Sequence, residues 1–138
     1  MLEAIGVQFF MGGSHRFGYD VTTSDIDLFI LVDDKNINII SELINMGGCI
    51  VQTPYLGVEC TRLKLGVYDI NLFSEHLRSE WIKLCTEHDA IEMYLRTLPG
   101  IAKTIRAMKL TGVFSDRKGT GSAIYRILAA SAKSAGYD

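Results

Sequence analysis

Residues 25 to 32, Asp-Ile-Asp-Leu-Phe-Ile-Leu-Val, constrain the fold more than any other segment of the chain. The run has strand length and is rich in aliphatic and β-branched residues, which favours an extended strand whose alternate side chains share one face. Asp25 and Asp27 therefore emerge side by side. Two neighbouring carboxylates beside apolar groups are unfavourable unless a cation compensates their charge. The segment predicts a strand that carries a site for a hard, oxygen-seeking cation.

A second alternating segment, residues 66–73, supplies a third carboxylate. Asp69 and Asn71 share one face of this predicted strand. If it lies beside the 25–32 strand, three carboxylates converge on a volume able to hold two Mg²⁺ ions roughly 3.5–4 Å apart. Such a pair of ions activates an attacking oxygen and neutralises a leaving pyrophosphate, which indicates a nucleoside triphosphate (NTP) as substrate.

A small-residue turn precedes the acidic strand. Residues 7–11, Val-Gln-Phe-Phe-Met, predict a strand that ends at Gly12-Gly13, where the backbone can turn sharply and approach a ligand. Ser14 follows at a predicted helix N-cap. Exposed backbone N–H groups and a hydroxyl at a helix start favour a phosphate. Gly13 and Ser14 are therefore the candidate phosphate contacts.

These motifs together resemble the DNA polymerase beta-type nucleotidyltransferase superfamily. Its small members show Gly-Ser, a Gly four residues on, then Ser-Asp-x-Asp-Leu, which here are Gly13-Ser14, Gly18 and residues 24–28. The resemblance covers about residues 5 to 75. It implies that Asp25 and Asp27 ligate magnesium, that Asp69 is the third carboxylate, and that the Gly-Ser pair contacts the triphosphate. The implied activity is transfer of a nucleoside monophosphate from an NTP to an acceptor.

A basic turn at residues 115–122 is a second candidate phosphate contact, through Arg117 and Lys118. The alternative is a solvated turn with Ser122 as the cap of a final helix. A predicted helix before this turn has three basic residues on one face, which either extend the basic surface of the turn or simply face solvent. They are Lys103, Arg106 and Lys109.

The overall pattern predicts an α+β fold, with a small mixed twisted sheet and flanking helices followed by a C-terminal helical layer. The predicted strand 58–65 pairs with 67–73 through a tight turn at Gly66. Helical spacing begins after Ser74, a predicted cap, and His88 is expected at the surface or at a helix end. The 138 residues fit one domain, with an α/β catalytic core to residue 75 and a helical portion over 76–138.

Composition narrows the class of protein further. The chain is 48% hydrophobic and 22% charged, which is typical of soluble globular proteins, and no apolar run reaches the ~18 residues that span a bilayer. No signal peptide is evident, so a cytoplasmic location without membrane contact is expected. Three cysteines without C-x-x-C spacing predict neither a disulfide framework nor a zinc site. The net charge of −2 disfavours tight nonspecific binding to long nucleic acid.

Three functional interpretations follow. The first is a metal-dependent nucleotidyltransferase, with an RNA end, a protein side chain or a small molecule as acceptor. The second is a non-catalytic nucleotide-binding regulator such as an antitoxin-type partner, and the third is a nucleic-acid-binding module that uses Arg117 and Lys118. A homodimer or a partner protein is compatible with each. The simplest alternative is an ordinary turn at Gly12-Gly13, a loop at Ser24 and Asp25, and a solvent-facing Asp69. Asp27 interrupts an apolar strand and argues against this alternative.

Overall fold

The computed structural model describes residues 7–52, 54–112 and 120–137. Within these ranges the chain forms five strands, five α-helices and one short 3₁₀ helix. In chain order they are β1 (Gln8–Gly12), α1 (Gly13–Phe17), β2 (Ile26–Leu31), α2 (Ile39–Asn45), β3 (Cys49–Val51), β4 (Thr61–Leu65), β5 (Tyr68–Phe73), the 3₁₀ helix (Glu75–Leu77), α3 (Arg78–Arg96), α4 (Ile101–Leu110) and α5 (Thr120–Ser134).

The five strands form one mixed sheet in the order β1-β2-β5-β4-β3. The central pair, β2 and β5, is parallel, whereas β5–β4 and β4–β3 are antiparallel. The acidic strand β2 therefore occupies an interior position of the sheet. This arrangement confirms the predicted α+β class with a mixed sheet and flanking helices.

One face of the sheet is apolar because every second residue of its inner strands is aliphatic. The buried members of this face cluster with helix α2 through Ile39, and Ile40 and Leu43 of the same helix pack against the cluster. Ile30, Leu63 and Leu72 are at most 2% exposed. The opposite face is mixed: it carries the polar residues of the alternating pattern and also Phe29 and Phe73, each 0% exposed.

The turn between β4 and β5 sets the register of the hairpin. Gly66 has a φ of 60°, in the left-handed region that favours glycine. Leu65 pairs with Tyr68 across this turn, so each earlier residue of β4 has a defined partner on β5. The predicted pairing through Gly66 is confirmed.

Contacts along the chain divide it into two compact units. Of the described residues, the sheet unit comprises those up to Met11 and those within Asp25–Lys83, and the helical unit comprises Gly12–Ser24 and those from Leu84 onward. The predicted single-domain organisation stays a prediction. Among the described residues no helix has both the length and the apolar character needed to cross a membrane.

The helical unit has its own buried stripe. Leu84 and Ile91 of α3 are buried at helical spacing, as are Leu128 and Ala132 of α5. His88 lies between the two buried residues of α3 and is itself 0% exposed. The prediction that His88 is a surface or helix-end residue was therefore wrong, because its spacing places it on the apolar stripe of α3.

Candidate functional site

The register of β2 and β5 brings two of the three predicted carboxylates together. Asp27 is the direct partner of Asp69, and Leu28 is the partner of Ile70. Paired residues of neighbouring strands project to the same face, so both carboxylates lie on one face and both aliphatic side chains on the other. The condition for convergence of the carboxylates, that the 66–73 strand lies beside the acidic strand, is met. Strand β2 begins at Ile26, so Asp25 lies just before it.

The electrostatics of Asp27 reflect this crowding. Burial, followed by the charges of Asp69 and Asp25, raises the pKa of the Asp27 carboxyl from 3.8 to about 7. The nearby cations Arg62 and Lys64 act in the opposite direction but do not cancel the rise. Burial and the two neighbouring carboxylates therefore disfavour the charged form of Asp27 near neutral pH.

Two basic residues of β4 complete the cluster, and sequence reasoning missed both. Arg62 Nη2 lies 3.2 Å from Asp69 Oδ2, and Lys64 Nζ forms an ion pair with Asp25 Oδ1. Lys64 is the antiparallel partner of Asp69 across the Gly66 turn. The alternation Arg62-Leu63-Lys64 before a predicted tight turn was the available signal, since counting back from the turn places both cations on the acidic face.

Asn71 anchors Arg62 beneath the carboxylates. The Asn71 side chain is 0% exposed, and its amide donates to the Leu28 carbonyl over 3.1 Å. Its Oδ1 accepts from Arg62 Nε at 3.1 Å. The Arg62 guanidinium also lies over the Tyr55 ring, 5.6 Å from its centroid. The predicted shared face of Asp69 and Asn71 is confirmed, because one guanidinium binds both.

The donor set can be tested for its fit to Mg²⁺. Asp69 Oδ1 is buried and accepts no hydrogen bond from any described residue, which leaves a carboxylate oxygen open to a cation. Mg²⁺ keeps several waters and is commonly held by one or two carboxylates plus substrate phosphates. Over the described ranges no group of three His, Cys, Asp or Glu side chains is arranged as a metal-ligand set. The Asp27–Asp69 pair can therefore offer carboxylate oxygens to a cation, while Asp25 Oδ1 is already paired with Lys64. The predicted pair of Mg²⁺ ions stays a prediction.

The predicted phosphate contacts Gly13 and Ser14 lie in the helical unit. Helix α1 begins at Gly13, with Gly12 at the N-cap position and no side-chain cap hydrogen bond. The prediction that Ser14 is the N-cap was wrong: the β1 strand extends through Gly12, so the helix starts one residue before Ser14. Gly13 has a φ of 67°, a conformation that suits glycine.

The other predicted phosphate contacts, Arg117 and Lys118, lie outside the described residues. Helix α5 begins at Thr120, so Ser122 lies within the helix rather than at its cap.

Two of the three basic residues of α4, Arg106 and Lys109, make internal hydrogen bonds, whereas Lys103 is exposed. Arg106 Nε donates to the Asp20 carbonyl at 3.1 Å. Lys109 Nζ donates to the Tyr19 carbonyl and to Ser24 Oγ, each at 3.3 Å. These two cations fix the segment that precedes the acidic strand in sequence.

Similarity to known proteins is confined to structure. The sequence matches no protein-family model and no curated protein. The fold is similar to that of the conserved protein GrpB from Enterococcus faecalis, with a TM-score of 0.59 and 17% identity over 99% of this chain and 88% of GrpB. This similarity shows a shared fold.

Two further solved structures are similar at a lower level. Cid1 in complex with the UTP analogue UMPNPP has a TM-score of 0.34 and 19% identity, over 67% of this chain and 32% of Cid1. A cytoplasmic RNA terminal U-transferase has a TM-score of 0.36 and 21% identity, over 67% of this chain and 33% of that chain. Both match over only about a third of their own length, too weakly to define the fold.

Proposed function

We propose that the protein is a metal-dependent nucleotidyltransferase that moves a nucleoside monophosphate from an NTP to an acceptor hydroxyl with release of pyrophosphate. The observation that carries the proposal is the in-register pairing of Asp27 with Asp69, in a setting that raises the Asp27 pKa to about 7. An interior strand tolerates such a pair poorly without a cation. The sequence resemblance supplies the reaction class.

In this proposal Asp27 and Asp69 hold the metal, with Asp25 as a further ligand. When bound, Mg²⁺ supplies charge stabilisation at the attacking oxygen and at the leaving pyrophosphate. Arg62 keeps one oxygen of Asp69 occupied and its carboxylate plane oriented. The other oxygen, Oδ1, stays available to the ion or to the proton of the acceptor hydroxyl. Positioning and charge neutralisation would carry most of the rate.

The remaining predicted residues are proposed to contact the substrates. Gly13 and Ser14 are proposed to contact the triphosphate, and Arg117 and Lys118 to contact phosphate of the NTP or of the acceptor. The acceptor classes are an RNA end such as that of a transfer RNA, a protein side chain or a small molecule. ATP is included among the NTPs to be tested.

The direct test is label transfer. Purified protein is incubated with each α-labelled NTP, Mg²⁺ and an RNA-plus-protein extract, beside Asp27→Asn and Asp69→Asn variants. We expect label on one acceptor class with the wild type and a loss of at least about a hundredfold in each variant. Asp34→Asn, at an exposed position beyond β2, is the matched control and should keep full activity. Equal labelling by wild type and Asp69→Asn would contradict the proposal.

A specific observation favours a second candidate, a nucleotide-binding protein without turnover. Arg62 and Lys64 already form ion pairs with Asp69 and Asp25, so two of the three carboxylates have protein counter-ions. A regulator could use the same site for binding alone. Metal-dependent NTP binding by equilibrium dialysis without label transfer to any acceptor would support this second function.

A further inference from the structure

The two cations of β4 differ in how firmly they are held. Arg62 contacts Asp69 and Asn71 and lies over Tyr55. Its side chain is 15% exposed, and that of Asp69 is 18% exposed. This guanidinium is fixed by several partners at once, in the geometry that suits a planar, multidentate donor.

Lys64 is held more weakly. Its ion pair with Asp25 joins a side chain that is 40% exposed to one that is 46% exposed. An ammonium on a flexible stem in such an exposed pair contributes little to stability and exchanges readily with another cation. Lys64 is also the register partner of Asp69. Its side chain therefore starts directly beside the Asp27–Asp69 pair.

Asp25 is the carboxylate that the pair Asp27–Asp69 lacks for a three-ligand site. Its negative charge already acts on Asp27, whose pKa it helps to raise. While Lys64 neutralises Asp25, a divalent ion at the pair gains less from that carboxylate and is repelled by the ammonium. Lys64 and a divalent cation therefore compete for the carboxylate of Asp25.

We propose that Lys64 is a displaceable counter-ion that sets the metal affinity of the site: it pairs with Asp25 in the metal-free protein and releases that carboxylate to a divalent cation held by Asp27 and Asp69. The inference rests on the proposed function and adds a positioning residue to it. Because the competition is reciprocal, removing the ammonium must tighten metal binding.

The test measures Mn²⁺ binding directly, without turnover. Isothermal titration and the paramagnetic resonance signal of free Mn²⁺ give the dissociation constant for the wild type, Lys64→Met, Lys64→Arg and Lys83→Met. We expect Lys64→Met to bind Mn²⁺ roughly three- to tenfold more tightly than the wild type. Lys64→Arg restores the cation and should return the affinity to within about twofold of the wild type. Lys83→Met, at an exposed position of α3, changes the net charge equally and should leave the affinity unchanged.

The outcomes separate this inference from the proposed function. Unchanged or weaker Mn²⁺ binding by Lys64→Met would overturn the role of Lys64, while wild-type binding that Asp69→Asn abolishes would still support the metal site. Absence of Mn²⁺ binding in both wild type and Lys64→Met would overturn the metal site and the inference together. Equal circular dichroism spectra and urea midpoints across the variants verify that each is folded.

Discussion

At the scale of single residues, two side chains have strongly shifted pKa values, one an acid and the other a base. Asp27 is a carboxyl whose pKa rises to about 7, and His88 is an imidazole whose pKa falls to about 4. Burial is the largest cause in both, because it disfavours the charged form of either group. Each gives a pH-dependent contribution to stability, and the two contributions have opposite signs.

Asp27→Asn should stabilise the metal-free protein at alkaline pH. The folded-state pKa of about 7 exceeds the ordinary value of 3.8, so the native state resists ionisation and the penalty develops between pH 4 and 7. Above pH 7 the full penalty applies, on the order of 2–4 kcal/mol. Urea unfolding with EDTA at pH 8 should show the variant more stable by a few kcal/mol, and at pH 4 the gain should vanish. A destabilised variant at pH 8 would contradict the electrostatic interpretation.

His88 should make the protein less stable in mild acid. Its folded-state pKa of about 4 lies below the ordinary 6.5, so its contribution is complete above pH 6.5 and is lost as the pH falls towards 4. The total loss is on the order of 3 kcal/mol. His88→Phe keeps the ring between Phe17 and Tyr125 and removes the titration.

The measurement for His88 is the difference between variant and wild type in urea unfolding at pH 7 and pH 4.5. Taking the difference removes the opposite contribution of Asp27, which is common to both proteins. His88→Phe should gain stability relative to the wild type on acidification, whereas His76→Phe, at an exposed position, should not. A pH-independent difference for His88→Phe would show that the buried imidazole is not the acid-sensitive group.

At the scale of elements, the β4–β5 hairpin determines which basic residues lie beside the carboxylates. Its two-residue connection pairs Lys64 with Asp69 and Arg62 with Asn71. A shift of one residue would turn both cations to the aliphatic face, since side chains alternate along a strand. The turn at Gly66 therefore controls the electrostatics of the carboxylates as well as local geometry.

Gly66→Ala should lower the free energy of unfolding by about 1–2 kcal/mol, because a φ of 60° forces a Cβ into the left-handed region. Gly66→Asn should lower it less, since asparagine adopts this region more readily. Gly121→Ala is the matched control: it lies in α5 with open space around a new Cβ, and alanine should stabilise the helix by up to about 1 kcal/mol. Thermal and urea unfolding measure all three, and equal effects of Ala and Asn at Gly66 would argue against a backbone origin.

At the scale of the whole molecule, the predicted single domain can be tested against the two compact units. Leu63 of the sheet unit and Ile91 of the helical unit are both 0% exposed. Truncation of either to alanine should cost about 2–5 kcal/mol. If the chain folds as one domain, each substitution shifts the same cooperative transition, whether followed by Trp81 fluorescence or by circular dichroism at 222 nm. Separate transitions, each moved by only one substitution, would show two folding units.

The sequence by itself determined the elements and the candidate ligands. Alternation over residues 25–32 and 66–73 was enough to predict the two strands, the shared face of Asp69 and Asn71, and the tight turn at Gly66. These features follow from local rules, because side-chain direction in a strand and backbone freedom at glycine depend on neighbouring residues only. His88 shows the limit of that reasoning. Its burial depends on which face of α3 packs against other segments of the chain, and local spacing does not determine that.

Only the tertiary structure decided which charges meet. The parallel register pairs Asp27 with Asp69, and the hairpin brings Arg62 and Lys64 to the same carboxylates. Register depends on contacts between segments that are distant in sequence, so residue spacing within one strand cannot determine it. The same contacts bury Asp27 and raise its pKa, because both desolvation and the summed charge of neighbours are properties of the folded chain. The sequence therefore identified the candidate carboxylates, whereas the counter-ions Arg62 and Lys64 and the raised pKa of Asp27 came from the fold.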